Sequence, residues 1–575
     1  MAFSFHQSED LPRAESMYRD VLEHDQNNVS ALHLLGILYS QTRDFAAAEK
    51  LFLKLMSLKP DHADALNNCG FAMNEMRRFE EALGYLDRSL TLRPDDVHAY
   101  INRGIALRGL NRLEEALSSY DHALLLDPDC VDIYNNRGNV LKDLGRKGEA
   151  LESYDRALTL RPRDCCTHVN RGALYRDWKQ YEKALESYDK ALESQPDNID
   201  AHNARGNILI KLRRFNDALK SFDQALSIKE DLPDCHNNRG TALRELGRFE
   251  ESLACYDRAL ALRPLCVEAS FNKSISLLLL GEFFQGWSLY ENRLATSFFQ
   301  RAYPGSRWRG DEPLEGKRLF VHWEQGNGDI IQFCRFLKLA EQRGASVVFS
   351  VEKRLHRLLR TLSPSIRLID EGELCVSADF HCPLMSLPLA FATGLNDIPK
   401  NIPYLKASFG LVRKWRDRLG VGYKVGVAWQ GSDPHDGRSF DLANLLRVSQ
   451  LPNIRLISLQ KNRGVEQLTT LPKSMKVERL KETLDANGHA FWETAAIIEN
   501  MDLVISCDSS VAHLASALGR PTWVALQHVP EWRWMQDRAD SPWYPTMHLF
   551  RQRTSGDWES VFSEIEVALR DQLIG

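Results

Sequence analysis

The first half of the chain repeats one pattern of apolar and polar positions every 34 residues. Each repeat holds two stretches in which apolar residues recur at helical spacing, as in "INRGIALRGL" and "LEEALSSYDHALLL", and this spacing is typical of amphipathic helices. The repeats start, without a gap, at Ala31, Ala65, Ala99, Ile133, Thr167, Ala201, Cys235 and Ala269. The pattern predicts an α-solenoid of paired helices over residues 1–296, in which residues 11–24 form the second helix of a truncated leading repeat.

Glycine and proline occupy fixed positions in this repeat. Glycine fills the sixth position of each repeat from Gly36 to Gly240 and becomes serine at Ser274; proline ends most repeats, at Pro60, Pro94, Pro128, Pro162, Pro196 and Pro264. Glycine lets paired helices approach closely, and proline ends the second helix. Together these features resemble the tetratricopeptide repeat. The last repeat departs from it in "GEFFQGWSLYENRL", with Trp287 and Tyr290, as expected where a solenoid ends or docks on another domain.

Two columns of polar residues follow the same period. The basic column is Arg103, Arg137, Arg171, Arg205, Arg239 and Lys273, and recurring aspartates of the second helices are its expected partners. The asparagine column is Asn68, Asn102, Asn136, Asn170, Asn238 and Asn272. An amide both donates and accepts, which suits the extended backbone of an acceptor protein, and a similar ladder grips substrates in the O-GlcNAc transferases. Asparagine is also frequent in these repeats, so binding and structural roles both stay open.

Beyond about Thr296 the pattern changes to short apolar runs that alternate with helical stretches. "SFFQRAYPGSRWRGDEPLEG" is rich in glycine, proline and arginine and predicts a linker over 297–316. Two series of strands follow: "RLFVHW", "SVVFSV", "IRLID" and "DFHCPL", then "KVGVAW", "IRLISL", "MDLVIS" and "PTWVAL". Strands that alternate with helices are typical of parallel α/β sheets. We predict one α/β lobe over 317–415, a second over 416–555 and a C-terminal helix over 556–575.

Each lobe opens with a strand that runs into a polar glycine loop, "HWEQGNGDIIQF" in the first and "AWQGSDPHDGRSF" in the second. A third loop, with Asp508, Ser509 and Ser510, joins a strand to a helix that contains His513. All three follow strand ends, where open α/β sheets bind ligands. The helix N-terminus and the serine hydroxyls suit a phosphate, and the Asp508 carboxylate suits sugar or ribose hydroxyls. The loops predict a nucleotide-sugar site; the alternative is that Asp508 only caps the helix.

"CDSSVAHLASALGRP" resembles the D-[ST]-x-x-x-H-L-A-x-A-x-G-x-P segment of the heptosyltransferase-like (family 9) glycosyltransferases, and the two glycine loops resemble theirs. The resemblance covers roughly residues 317–560 and is closest to bacterial proteins that fuse tetratricopeptide repeats to such a domain, some of which modify flagellin. It implies the GT-B fold, whose two Rossmann-like lobes bind acceptor and nucleotide sugar respectively. It also places Gly328, Gln430, Gly431 and Ser432 in the site. Asn327 departs from the family, which usually has an apolar residue there.

Glycosyl transfer requires stabilisation of a departing diphosphate. The D-x-D sequence at Asp127–Asp129 falls in a repeat turn, so we predict no metal site. Without a metal ion, cationic side chains and the N–H groups at a helix N-terminus are expected to stabilise the negative charge of the diphosphate. The resemblance makes Arg438 the phosphate clamp, and Lys461, at the end of a strand, is the second candidate.

Asp329 is the candidate general base, because it lies at a strand-to-helix turn of the first lobe and matches the base proposed for the family. The alternative is a cap for a helix over 330–341. His513 is expected to be structural and to orient the Asp508 loop. Four aromatic residues either stack on a base or sugar or, as we favour, anchor the C-terminal segment on the first lobe: Trp532, Trp534, Trp543 and Tyr544.

The composition of the chain limits the class of protein and the cellular compartment to be considered. Hydrophobic residues make up 43% and charged residues 26% of the chain, as in soluble globular proteins. A net charge of -5 gives no basic excess for nucleic acid or an anionic membrane. The N-terminus lacks a signal-peptide pattern, no apolar run is long enough to span a bilayer, and the 11 cysteines contain no C-x-x-C pair. We expect a reduced, cytoplasmic protein without a cofactor.

The leading hypothesis is an inverting, metal-independent glycosyltransferase. It would move a sugar from a nucleotide-sugar donor to a protein acceptor, flagellin-like by the resemblance, that the solenoid recruits. One alternative is a lipopolysaccharide or small-glycan transferase whose solenoid serves assembly. The other is a repeat scaffold with an inactive transferase domain, and the presence of Asp329, Arg438 and Asp508 counts against it.

Overall fold

The structure is a computed structural model that describes residues 2–8, 10–295, 303–373, 375, 377–431, 437–480, 485 and 488–574. The chain forms two compact units, Met1–Glu230 and Asp231–Gly575, each with hydrophobic clusters of its own. The predicted fold class, a helical solenoid followed by parallel α/β sheets, is confirmed. Across the described residues no helix is long and apolar enough to cross a membrane.

The first unit consists of helices that pair in sequence order. They are α1 Ala2–Gln7, α2 Leu11–His24, α3 Val29–Gln41, α4 Phe45–Leu58, α5 Ala63–Glu75, α6 Phe79–Leu92, α7 Val97–Gly109, α8 Leu113–Leu126, α9 Val131–Asp143, α10 Lys147–Leu160, α11 Cys165–Asp177, α12 Tyr181–Ser194, α13 Ile199–Lys211 and α14 Phe215–Ile228. From Arg43 to Arg213, one residue in the turn inside each repeat has a positive φ of 58° to 75°. This left-handed residue ends the first helix and turns the chain back for the second.

The repeated glycine lies where the two helices of a repeat are closest. A Cβ atom on Gly36 would lie 2.5 Å from the ring of Phe52, and one on Gly104 would lie 2.5 Å from the ring of Tyr120. Such distances are far inside van der Waals contact. The glycine therefore lets a ring of the second helix fill the space, and the predicted reason for its recurrence is confirmed.

The basic column pairs with aspartates of the preceding repeat. In the first unit four ion pairs have N–O distances of 2.6 to 2.9 Å: Arg103–Asp87, Arg137–Asp121, Arg171–Asp155 and Arg205–Asp189. In the second unit Lys273 pairs with Asp257 at 2.5 Å. The predicted internal pairing is confirmed, and it links each repeat to its neighbour.

The asparagine column also links neighbouring repeats. Asn102 donates through Nδ2 to Oδ1 of Asn67 at 2.8 Å. The same bond joins Asn170 to Asn135 and Asn272 to Asn237, at 2.9 Å in both cases, and Asn68 contacts His33. All six side chains of the column are half-buried. A structural role therefore exists, and a binding role stays a prediction, because an amide oxygen can still accept from a peptide N–H.

The second unit begins with two helix pairs and continues into two sheets. The helix pairs are α15 Pro233–Glu245, α16 Phe249–Leu262, α17 Val267–Leu280 and α18 Phe283–Tyr290. The first sheet contains β1 Ser306–Arg307, β2 Arg318–His322, β3 Ser346–Val351, β4 Arg367–Asp370 and β5 Phe380–Pro383, in the order β1-β5-β2-β3-β4. The second contains β6 Tyr423–Ala428, β7 Ile454–Ser458, β8 Val477–Glu478, β9 Leu503–Cys507, β10 Thr522–Leu526 and β11 Met547–Arg551, in the order β11-β10-β9-β6-β7-β8. Neighbouring strands are parallel, so the carboxyl ends of each sheet share one edge.

Further helices follow the strands: α19 Asn327–Phe333, α20 Arg335–Gln342, α21 His356–Leu359, α22 Leu387–Ala390, α23 Phe409–Leu419, α24 Leu446–Ser449, α25 Trp492–Ile498, α26 Ser510–Ala517 and α27 Trp558–Ile574. The helix expected over 330–341 starts earlier and is divided between α19 and α20, where the Arg335 side chain donates to the Gln332 carbonyl at 2.7 Å. Part of the segment proposed as a linker, residues 306–307, forms the edge strand β1, because it pairs with β5.

The last repeat shares a hydrophobic core with the α/β region. Trp287 and Tyr290 of α18 are buried in one cluster with Leu319 of β2 and Phe333 of α19. α18 ends after 8 residues, whereas α16 at the same place in the preceding repeat has 14. The expectation that this atypical repeat docks on another domain is confirmed.

Candidate active site

Three loops, at the carboxyl ends of β2, β6 and β9, line one cavity of about 850 Å³. Its wall contains the candidate residues Gly328, Asp329, Gln430, Gly431, Arg438, Lys461, Asp508, Ser509, Ser510 and His513. Ser432 lies outside the described residues. The structure therefore brings together the described candidates from both lobes.

The loop from Asp508 to Ser510 places the start of α26 at the cavity wall. Ser509 is the N-cap residue, so the cap position belongs to it and not to Asp508. The Ser509 hydroxyl lies 2.9 Å from the Ser506 hydroxyl, and Asp508 is 7% exposed. Helix capping alone therefore does not account for Asp508.

A side chain that the sequence analysis missed holds the second-lobe loop. Gln460 follows β7, and its Oε1 accepts from the backbone N–H groups of Trp429 and Gln430 at 3.0 and 3.1 Å. Its Nε2 donates to the Gln430 carbonyl at 2.9 Å. The Gly431 N–H donates to Ser439 Oγ at 3.1 Å. These bonds fix the backbone that presents Gln430 and Gly431 to the cavity.

Besides Arg533, the cations Arg438, Lys461 and Arg463 of the second lobe line the cavity. Arg438 is half-buried, and the other two are exposed. Their positive charge adds to the partial positive charge of the α26 N-terminus at the same wall. Such a wall can bind a phosphate or diphosphate.

Asp329 lies on the first-lobe side of the cavity, as the third residue of α19. The N-cap residue is Gly326 and not Asp329, so the alternative that Asp329 is the N-cap of a helix over 330–341 is wrong. From the third helical position, Asp329 Oδ2 instead accepts from the backbone N–H of Gly326 at 2.8 Å, as in a capping box. Its Oδ1 forms an ion pair with Arg533, and the Asp329 side chain is 17% exposed. Asp329 therefore belongs to the capping box of its helix and also lines the cavity.

Arg533 is the main site residue that the sequence analysis did not identify. Its guanidinium pairs with Asp329 and Glu531, and its Nε donates to Gln332 Oε1 at 2.7 Å. Burial raises the pKa of Glu531; the adjacent Arg533 opposes this rise, and the charge of Asp508 adds to it. Arg533 joins the first-lobe helix α19 to the segment after β10.

His513 is a buried residue that supports the loops. Its Nδ1 lies 3.0 Å from the Tyr544 hydroxyl, and its ring stacks on Trp534 with a centroid distance of 5.2 Å. Burial and nearby arginines lower the pKa of His513 well below its ordinary value, so the ring is neutral at neutral pH. A Cβ on Gly328 would lie 3.2 Å from His513 Cδ2, so the two loops meet here. The structural role expected for His513 agrees with these contacts.

The aromatic residues near the C-terminus are at most 1% exposed: Trp532, Trp534, Trp543 and Tyr544. Trp532 packs edge-to-face on Trp287 with a centroid distance of 5.2 Å, and Trp543 packs on Phe333 at 5.5 Å. Rings enclosed by protein in this way have no face left for a base or sugar. The anchoring interpretation is therefore confirmed, and the stacking alternative is wrong.

The sequence carried one signal for Arg533. In "EWRW", an acid and an arginine interrupt a run of aromatic residues. A charge among buried rings must be paired within the protein, so the pair Glu531 and Arg533 marks a contact. Its partner Asp329 is 204 residues away, and no spacing rule connects them.

Family models match both halves of the chain. Tetratricopeptide-repeat models match residues 5–68, 74–124, 106–145, 131–164, 172–212, 199–232 and 233–265. The model of glycosyltransferase family 9 (heptosyltransferase) matches residues 441–526, which include Lys461 and the Asp508 loop. Tetratricopeptide-repeat models thus match stretches of the first half of the chain, and a glycosyltransferase family 9 model matches part of the second half.

Among individual proteins, the chain is similar to Protein FlbA of Caulobacter vibrioides, with 27% identity over 299 residues, which cover 47% of this chain and 48% of FlbA. The match thus spans about half the length of that relative. The crystal structure of YrrB, described as a tetratricopeptide-repeat protein with an unusual peptide-binding site, is 24% identical and covers 32% of this chain and 95% of YrrB, with a TM-score of 0.28. The Cut9–Hcn1 hetero-tetramer of the APC/C is 17% identical and covers 48% of this chain and 54% of that one, with a TM-score of 0.39.

Proposed function

We propose that the chain transfers a sugar from a nucleotide-sugar donor to a protein acceptor held by the repeats, in an inverting reaction without a metal ion. One observation carries this proposal: Asp329 of the first lobe lines the same cavity as Arg438 and the Asp508 loop of the second lobe. A base and a phosphate-binding wall across one cavity are what glycosyl transfer requires. The family 9 domain supports this class of reaction.

The donor's diphosphate lies at the start of α26 in this proposal. There the N–H groups of the first helical turn, the hydroxyls of Ser509 and Ser510 and the cations Arg438 and Lys461 oppose its negative charge. Asp508 would repel a phosphate, so it accepts from sugar or ribose hydroxyls instead. Activity should therefore persist in EDTA. Loss of activity in EDTA, restored by added Mg²⁺ or Mn²⁺, would contradict this arrangement.

Asp329 takes the proton of the acceptor hydroxyl. The acceptor oxygen forms a bond to the anomeric carbon while the bond from that carbon to the diphosphate oxygen breaks, and the nucleoside diphosphate leaves with the electron pair. A single displacement from the face opposite the leaving group inverts the anomeric configuration. The Gly326 N–H and Arg533 hold the Asp329 carboxylate in a defined orientation for this step.

The acceptor protein binds along the asparagine column in this proposal. Six half-buried side chains form this column: Asn68, Asn102, Asn136, Asn170, Asn238 and Asn272. An amide can form hydrogen bonds with the backbone of a peptide, whatever the side chains of that peptide are. A flagellin-like protein is the acceptor that the family resemblance favours. In Asn102 and Asn170 the inter-repeat bond is donated by Nδ2, so the amide oxygen can still accept from a peptide N–H.

Intact-mass spectra of the soluble proteins test the proposal in source cells with and without the gene. We expect one protein to carry a sugar-sized mass increase when the gene is present, and to lose it when the gene encodes Asp329→Asn. A change confined to glycolipids would favour the lipopolysaccharide or small-glycan alternative. No change in proteins or lipids would favour the inactive scaffold.

A further inference from the structure

The last repeat differs from the others at the place where glycine meets an aromatic ring. In earlier repeats the glycine lies against a ring of the second helix, as Gly240 lies against Tyr256, except that Gly70 lies against Leu86. In the last repeat Ser274 replaces the glycine, and Tyr290 holds the position equivalent to Tyr256. Because serine has a Cβ atom in the space that the ring would need, Tyr290 cannot pack as Tyr256 does.

Tyr290 instead contacts the loop before α19. Nε2 of Gln325 donates to the Tyr290 hydroxyl at 3.0 Å, and Oε1 of the same amide lies 3.4 Å from it. The ring also packs against Trp532 with a centroid distance of 6.1 Å. Burial raises the pKa of Tyr290 to about 12, so its hydroxyl stays protonated.

The backbone of Gln325 needs such support. Its φ of 63° lies in the left-handed region, which residues other than glycine adopt rarely. A residue keeps this conformation only where its surroundings hold it. Gln325 directly precedes Gly326, whose N–H donates to Asp329. The contact with Tyr290 therefore acts on the backbone that places Asp329.

A buried ion pair supports the same loop. Arg293 follows α18 and donates to both carboxylate oxygens of Glu324, at 2.9 and 2.7 Å. The two side chains are 4% and 0% exposed, and Glu324 also accepts from the Met385 N–H at 2.9 Å. Since Glu324 and Gln325 are consecutive, the last repeat and the segment that follows it hold two adjacent residues of the loop.

The last repeat also contacts the segment that carries the other partner of Asp329. Trp532 packs on Trp287 of α18, and the next residue, Arg533, pairs with Asp329. Two segments orient the Asp329 carboxylate, residues 324–326 and residues 531–533. Each of them contacts α18 or the turn that follows it.

We propose that Tyr290 is a positioning residue for the candidate base: by holding Gln325, it fixes the orientation of Asp329 in the cavity. The inference rests on the proposed function, in which Asp329 takes the acceptor proton. The last repeat is then a part of the transferase site, while the preceding repeats serve the acceptor.

Tyr290→Phe removes the hydroxyl and keeps the ring, and Tyr256→Phe is the matched control. Tyr256 holds the same position one repeat earlier, is fully buried, and has its hydroxyl 3.4 Å from that of Thr241. Phenylalanine occupies this position at Phe52 and Phe222, so the repeat accepts either residue. The two variants remove the same group from equivalent buried sites, and only one of those sites touches Gln325.

Hydrogen–deuterium exchange of the amides in residues 324–331 tests the positioning without an assay of transfer. We expect exchange in Tyr290→Phe to be about threefold faster or more than in the unaltered chain, and exchange in Tyr256→Phe to be unchanged. Equal exchange in all three proteins would overturn the inference, whether or not the chain transfers a sugar. Absence of transfer by the unaltered chain would contradict the proposed function and leave the exchange result to decide the inference.

Turnover gives the second readout. We expect Tyr290→Phe to lower kcat by about tenfold while KM for the donor stays within about twofold, because the donor binds the second-lobe loops. Gln325→Met removes the other partner of the contact. If Tyr290 acts through Gln325, the double variant loses no more activity than the more impaired single variant. Independent, multiplicative losses would show that Tyr290 acts by another route and would overturn the inference.

Discussion

In the repeats, residues that meet are close in sequence: Arg137 pairs with Asp121, 16 residues earlier, and Asn102 bonds Asn67, 35 residues earlier. In the cavity, residues that meet are far apart: Asp329 and Arg533 are separated by 204 residues. Each repeat contact recurs in the neighbouring repeats, whereas each cavity contact is made once. Loss of one repeat contact should therefore be partly tolerated, and loss of one cavity contact should not.

The largest expected effect in the repeats requires several contacts to be removed together. We expect the triple variant Asn102→Ala, Asn136→Ala and Asn170→Ala to weaken binding of the acceptor protein by about tenfold to about two thousandfold, because three lost hydrogen bonds together contribute about 1.5–4.5 kcal/mol. Donor binding should be unchanged. Acceptor affinity, measured by titration calorimetry, checks this prediction.

The matched control for this variant is Asn67→Ala with Asn135→Ala. It removes the acceptors of the inter-repeat bonds and keeps the three column amides. We expect both variants to lose similar thermal stability and only the triple variant to lose affinity. Equal losses of affinity would show that the column is structural, and unchanged affinity in both would leave the solenoid without this acceptor role.

A smaller effect is expected where glycine meets an aromatic ring within one repeat. Gly104→Ala places a Cβ 2.5 Å from the buried ring of Tyr120, and such overpacking costs about 1–3 kcal/mol. Gly84→Ala, in open space within α6, is the control and should be neutral or stabilising by about 0.5–1 kcal/mol. Thermal melting followed by circular dichroism measures both. Equal melting temperatures for the two variants would refute the packing argument.

Two buried histidines of the second unit predict a pH effect. Burial lowers the pKa of His322 to about 3 and that of His513 well below its ordinary value. In the unfolded chain both imidazoles have a pKa of about 6.5. Below that pH the unfolded state therefore binds protons that the folded state does not bind. Stability therefore falls as the pH drops from about 6.5, by about 1.4 kcal/mol per pH unit for each histidine. His322→Asn should flatten the fall in melting temperature between about pH 7 and about pH 5, and an unchanged slope would count against this account.

The parts that could be predicted from the sequence are those with a local or periodic cause. The 34-residue period predicted the solenoid, the glycine contacts and the pairing of the basic column. Apolar runs predicted the strands that carry the three loops. Ser274 and Tyr290 marked the last repeat as different, and the structure shows it docked on the α/β region.

The parts that could not be predicted depend on contacts between distant segments. Gln460 has ordinary surroundings in sequence, and the aromatic surroundings of Arg533 mark a buried charge without naming its partner Asp329. The contacts of both residues follow from where the second lobe places them. The predicted helix is divided at Cys334, and the adjacent Arg335 donates to the carbonyl of Trp543, 208 residues away. The spacing of residues in a sequence predicts which side chains share a face of one helix or strand. It does not predict contacts between segments that are distant in sequence.

In the proposed mechanism, the cavity joins a base from the first lobe to donor-binding loops of the second. The most direct test measures donor affinity and turnover for Asp329→Asn beside Arg438→Gln, in the full chain. We predict that Asp329→Asn keeps donor Kd within about twofold and lowers turnover on the order of a hundredfold or more, whereas Arg438→Gln weakens donor binding by about tenfold or more. Near-normal turnover of Asp329→Asn would contradict this mechanism.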